Sequence, residues 1–225
     1  MKTDTASKIH PEMLRICYTL RDRVLLALNA KAGAPARAVV VTSCHRGEGV
    51  TTAAVSLAAA LGMAGRWQLV LCDANSEAPG LASAIGQQEE PGLTDVVAGE
   101  SDLKRALRNT VIPGLKVLTA GSRKMLLSEM IESPFQDVPF KRLLDALRQD
   151  YAFVIFDAPA VLDCSATLNL AAMADGTILV LEAEREPYEV ARMATDLLKS
   201  ARAKVLGAVL NKRQFHIPGF LYRSM

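Results

Sequence analysis

Ala38-Val39-Val40-Val41-Thr42 leads without a break into Ser43-Cys44-His45-Arg46-Gly47-Glu48-Gly49-Val50-Thr51-Thr52, and the alanine-rich run Ala53-Ala54-Val55-Ser56-Leu57-Ala58-Ala59-Ala60 follows. The β-branched residues read as a strand, the glycines as a turn and the alanines as a helix. A phosphate-binding loop has this layout, with a lysine after its last glycine and a hydroxyl residue after the lysine. Here the hydroxyl is Thr51, and Val50 stands where the lysine belongs.

The remaining residues still suit an anion. Gly47 and Gly49 let backbone amides turn inward as a nest, and the helix that follows presents its positive end to the same point. Arg46, Gly47, Glu48, Gly49, Val50, Thr51 and Thr52 are therefore the candidates to surround bound phosphate, with Thr51 ligating magnesium. A charge-assisted hydrogen bond is worth about 1.5–3 kcal/mol, so the missing lysine is expected to weaken binding roughly 10- to 100-fold. Phosphoryl transfer is expected to suffer more, because charge on the transferred group develops in the transition state. A plain strand-to-helix turn uses glycines in the same way, so the choice falls to the rest of the chain.

Strand patterns recur at Gln68 to Asp73, Leu115 to Thr119, Phe153 to Asp157, Gly176 to Glu182 and Val205 to Asn211, with helical patterns between most of them. Runs such as Phe153-Val154-Ile155-Phe156 are apolar throughout, as strands covered on both faces are. The expected fold is α/β: a doubly wound, mainly parallel sheet flanked by helices, of the P-loop NTPase type. Residues 38–212 form that domain. Residues 1–37 carry an amphipathic helix over His10 to Ala30 and a lead-in, and 213–225 form a tail.

With 225 residues, half of them hydrophobic, and a net charge of +2, one sizeable core is expected and a nucleic-acid partner is not. No run of about 18 uncharged apolar residues and no signal peptide is read, so a cytoplasmic location is expected. Cys17, Cys44, Cys72 and Cys164 show no CxxC spacing, which gives no zinc or disulfide pattern. Three of them fall near strand ends, where a redox role is the minor reading beside that of small apolar residues.

Asp73 and Asp157 each close an apolar strand, at the carboxyl edge where open α/β sheets bind ligands. Asp157 reads as the aspartate that holds magnesium through water and complements Thr51. An isolated strand-end aspartate more often caps the next helix. Two of them beside a glycine loop favour nucleotide chemistry.

From Val39 to Lys212 the chain resembles the cytoplasmic domain of the bacterial tyrosine kinases of capsular and exopolysaccharide synthesis, relatives of the Min/Par-type ATPases. The resemblance rests on Gly47-Glu48-Gly49 with Thr51-Thr52, Leu71-Cys72-Asp73-Ala74, Pro91-Gly92-Leu93-Thr94-Asp95, Phe153-Val154-Ile155-Phe156-Asp157-Ala158-Pro159, Ala174-Asp175-Gly176 and Val209-Leu210-Asn211-Lys212. It implies catalytic and magnesium roles for Asp73 and Asp157. It implies that the phosphates are those of ATP or ADP, and places Asn211 beside the adenine, with Lys212 next to it. It also implies work at the inner membrane with a membrane-embedded polysaccharide co-polymerase that determines chain length.

The departures concern activity. Arg46 replaces the family's usual proline, Val50 its lysine, Asn75 its second aspartate, and Glu77 and Ala78 the basic residues that usually follow. His45 or Arg46 is the candidate for restoring part of the missing charge. The tail offers only Tyr222 in place of a tyrosine cluster. The subunit-contact motif is met by Glu12 and Arg15 but not by Tyr18, so a homo-oligomer stays open. The expected function is a kinase-like regulator of exopolysaccharide assembly that binds adenine nucleotide weakly. An active tyrosine kinase with a variant loop is the alternative, and a Min/Par-type positioning ATPase the further one.

Overall fold

A computed structural model describes residues 11–30, 35–131 and 139–212, with side chains from residue 17 onward in the first segment. The tail Arg213 to Met225, with Tyr222, lies outside the described residues, as do the side chains of Glu12 and Arg15.

The chain runs α1 (Pro11–Ala27), β1 (Arg37–Ser43), α2 (Val50–Gly62), β2 (Leu69–Asp73), α3 (Leu81–Ile85), α4 (Leu93–Val97), α5 (Leu103–Ala106) and β3 (Arg108–Asn109). It continues with β4 (Leu115–Leu118), α6 (Leu127–Ile131), α7 (Pro139–Asp150), β5 (Phe153–Asp157), α8 (Ala166–Met173), β6 (Gly176–Glu182), α9 (Tyr188–Ser200) and β7 (Val205–Asn211). The strands join one sheet in the order β3-β4-β2-β5-β1-β6-β7. All pairings are parallel except β3 with β4. The doubly wound sheet read from the sequence is therefore the fold. The two-residue β3 carries no alternating or apolar run, and pairing with β4 alone defines it.

The strands alternate between two cores. Val39, Val41, Leu69, Leu71, Phe153 and Ile155 face one side, where Ala54, Leu57, Ala58 and Leu61 of α2 cover them together with Val24 and Leu28 at the end of α1. Ala38, Val40, Val70, Cys72, Val154 and Phe156 face the other, against α6, α7 and α8. Phe140, Leu143, Leu144 and Leu147 recur at helical spacing and give α7 its buried stripe. Because β1 is buried on both faces between β5 and β6, the turn that follows it has one outlet, the carboxyl edge of the sheet.

Two segments quoted for the family resemblance are joints of this architecture. Asp175 accepts the Ala38 N–H at 2.7 Å and an Arg148 N–H at 3.1 Å, which fixes the start of β1 against β6. The Gly92-Leu93-Thr94-Asp95 turn is laced onto the end of β4: Leu93 N–H donates to Thr119 O at 2.7 Å and Thr94 N–H to Ala120 O at 2.9 Å. Asp95 accepts the Gly92 N–H at 2.7 Å and the Ser122 hydroxyl at 3.0 Å.

A Cβ on Gly92 would press into the backbone of Thr119 and Gly121, which cannot swing aside as a side chain can. Gly92→Ala should therefore destabilise the fold by about 1–3 kcal/mol, as overpacking does. The expected outcome is a lower urea midpoint with an unchanged slope in equilibrium denaturation.

Candidate functional site

The turn after β1 is built by a buried acid. Glu48 is 3% exposed. Its carboxylate accepts N–H groups of Cys44 at 2.8 Å, His45 at 3.1 Å and Glu182 at 3.2 Å. Gly47 and Gly49 on either side have φ of 91° and 96°, a left-handed conformation that glycine adopts without strain. Gly49 is also confined, since a Cβ there would overlap the Asn211 side-chain amide.

The end of β7 holds the same loop from outside. Asn211 Nδ2 donates to Glu48 O at 2.8 Å, and Lys212 Nζ donates to Gly47 O at 2.7 Å while pairing with Glu182 at 3.1 Å. A trans peptide directs its N–H opposite to its C=O. With the Gly47 and Glu48 carbonyls drawn toward β7, the N–H groups of Glu48 and Gly49 point the other way. The N-terminus of α2 has no side-chain cap and no acid in its first turn, so its own donors add to this positive end.

Gly49 and the start of α2 border a cavity of about 240 Å³ whose wall includes Arg46, Gly47, Gly49, Val50, Thr51 and Asp157. The sequence placed these six in one site, and the structure brings them together. Glu48, Thr52, Asp73, Asn211 and Lys212 do not line it. Glu48, Asn211 and Lys212 instead brace the loop from behind, and Thr52 faces outward on α2. Asn75, Glu77 and Asp163 do line the cavity. Asp163 also anchors the loop, accepting the Arg46 N–H at 3.0 Å with the His45 ring 3.4 Å away. Its position in the turn after β5, on the ligand-binding edge, was the available signal.

The two strand-end aspartates sit side by side, because Asp73 and Asp157 are partners in the parallel register of β2 and β5. Asp73 is fully buried and accepts N–H groups of Asn75, Gly80 and Leu81 at 3.0, 3.1 and 3.0 Å. Burial pushes its carboxyl up to about 6 against the pull of these three donors. Asp157 is pushed up to about 7, first by burial and then by the charge of Asp73, while its hydrogen bond with Thr51 opposes the rise. Its Oδ2 is buried without a hydrogen-bond partner among the described residues. An orphaned carboxylate oxygen beside a threonine hydroxyl and an amide nest fits a magnesium–phosphate complex. The thiols of Cys44 and Cys72 do not suit redox work, since burial and the Glu48 charge raise Cys44 to about 12, and burial also raises Cys72.

A sequence model of the AAA domain matches residues 36–204. The chain is 30% identical to the tyrosine-protein kinase YwqD of Bacillus subtilis (strain 168) over 178 residues, which are 79% of this chain and 73% of that one. It is 28% identical to the succinoglycan biosynthesis transport protein ExoP of Rhizobium meliloti (strain 1021), covering 86% of this chain but 24% of that larger protein. The crystal structure of the VpsO kinase domain superposes with a TM-score of 0.77 at 28% identity, covering 90% of this chain and 97% of that domain.

The raised carboxyl of Asp157 has a direct consequence for stability. The folded state keeps this proton to about pH 7, whereas an unperturbed carboxyl at 3.8 releases it. The folded state thus binds more protons between these values, and the contribution of Asp157 to stability falls as pH rises from about 4 to about 7. In magnesium-free buffer, Asp157→Asn should raise the melting temperature at pH 8 by about 4 °C or more. The gain should shrink at pH 5 in thermal melts followed by circular dichroism.

Proposed function

Because the chain belongs to the AAA-domain family and, within it, to the bacterial tyrosine-protein kinases, we propose that it is a kinase-like regulator of exopolysaccharide or capsule synthesis. It binds adenine nucleotide weakly, with magnesium, and exerts its effect through contact with a membrane-embedded polysaccharide co-polymerase. Similarity to the Rhizobium succinoglycan biosynthesis transport protein supports the polysaccharide setting. Among the described residues no helix is long and apolar enough to cross a membrane. The proposed place is the cytoplasmic surface of the inner membrane.

One observation carries the reading: an amide nest of the phosphate-binding type surrounds a position where the charge has been replaced by packing. Val50 lies against the apolar cluster under α2 and puts a hydrocarbon on the cavity wall. Glu77 and Ala78 line the same wall, so a carboxylate stands where the family resemblance implies basic side chains. The phosphates are received by the N–H of Gly49 and by the start of α2. Thr51 and Asp157 would hold magnesium, which supplies positive charge against the outer phosphates. Asp73 acts through Asp157 and through the Asn75 to Leu81 turn that it ties together. Asn211 and Lys212 hold the loop in shape beside the adenine side of the site.

The nest and the Thr51–Asp157 pair favour nucleotide binding, and the same pair is what an active kinase with a variant loop would use. The two readings separate on turnover. The first loses phosphate charge, one acid of the metal site (Asn75) and the tyrosine cluster, three separate requirements of phosphoryl transfer to tyrosine.

Calorimetric titration with ADP and magnesium should show weak binding that Val50→Lys tightens at least several-fold, because a lysine restores a charge-assisted bond. Equal affinities would mean that the position does not limit binding. On incubation with magnesium-ATP, alone and with membranes holding the co-polymerase, mass spectrometry should find no substantial phosphotyrosine. Robust phosphorylation of Tyr222 that disappears in an Asp157→Ala control would establish the active kinase instead.

A further inference from the structure

The cavity wall is electrostatically lopsided. Glu77, Asp157 and Asp163 bring three carboxyl groups to it, and Arg46 is the one cationic side chain among the described residues that line it. The other bases near the loop are engaged elsewhere. The His45 ring sits 3.4 Å from Asp163 and does not line the cavity. Lys212 Nζ bonds the outward-facing Gly47 carbonyl and pairs with Glu182. The guanidinium of Arg46 has neither a hydrogen bond nor an ion pair among the described residues, although its own N–H is fixed by Asp163 at 3.0 Å. Its root is thus held on the wall while its charged end is free.

We infer that Arg46 supplies the phosphate-binding charge that Val50 does not, so that this loop grips the phosphates from its first turn rather than from the helix that follows. The inference rests on the proposed nucleotide reading and names the residue that sets affinity there. A guanidinium suits the task, since its planar fork gives two parallel N–H bonds to one phosphate and stays charged at every working pH. The three acids make the rest of the wall hostile to a bare anion, so the nucleotide enters as its magnesium complex with Arg46 as its one side-chain cation. Arg46 is exposed and its backbone bond to Asp163 does not need its side chain, so truncation removes charge and leaves the loop's anchor in place.

The test is titration of the full chain and its variants with magnesium-ADP. Wild type should bind, Arg46→Ala should bind about ten-fold more weakly or worse, and Arg46→Lys should fall between them. Adding Val50→Lys to Arg46→Ala should restore affinity, because the charge matters and its point of origin does not. Melting temperatures of Arg46→Ala and Arg46→Lys should match wild type. Undiminished binding by Arg46→Ala would overturn the assignment, as would a loss that Val50→Lys fails to rescue, which would mark loop distortion rather than lost charge. Absence of binding by wild type itself would remove the nucleotide reading and this inference with it. Binding that is present but indifferent to Arg46 removes the inference alone.

Discussion

Everything in the site depends on β1 being buried on both faces between two parallel neighbours. A strand so placed cannot end sideways, and its backbone cannot be left without partners in the interior. Its exit is therefore the carboxyl edge, which is also where β5 delivers Asp157 and β6 delivers Glu182. The parallel register then does the positioning, with Val41 level with Asp157 and Ser43 level with Val180. Three segments far apart in sequence meet within one turn of chain.

Glu48 turns that meeting into a fixed loop. An acid placed between two glycines would ordinarily face water, yet here it is folded under its own turn and accepts three N–H groups, two from the loop after β1 and one from the end of β6. With Asn211 and Lys212 pulling the loop carbonyls outward, the loop has its amides presented before any ligand arrives. Such preorganisation lowers the cost of binding. It also explains how an amide nest persists after its lysine is gone: the loop's shape is held from behind, by the Glu48, Asn211 and Lys212 side chains.

The electrostatics run the opposite way. Two neighbouring buried carboxyl groups, Asp73 and Asp157, have raised pKa values because burial disfavours their charge. Further acids line the cavity, and the apolar Val50 adds nothing to balance them. A pocket of this kind has a backbone made for phosphate and side chains that ask for a cation. Magnesium carried in with a nucleotide meets both demands, which is why the metal and the phosphate belong to one reading here.

The sequence by itself determined the α/β class, all the longer strands to within a residue, and the grouping of Arg46, Gly47, Gly49, Val50, Thr51 and Asp157. These follow from local rules: apolar runs make buried strands, glycines make the turn, and strand ends collect at one edge. The family resemblance was likewise legible in the string. Only the tertiary structure decided which way each side chain faces. Glu48 read as a phosphate neighbour and is a brace; Asn211 and Lys212 hold the loop's back; Asp73 is saturated by the turn beyond it; Asp163, marked in the sequence only by its place after β5, lines the cavity and anchors Arg46. The two-residue β3 exists only because β4 offers it a partner. Orientation depends on contacts between segments more than a hundred residues apart, such as Asn211 with Glu48 and Arg46 with Asp163. No local pattern encodes those contacts, because they are set by the order in which the strands pack.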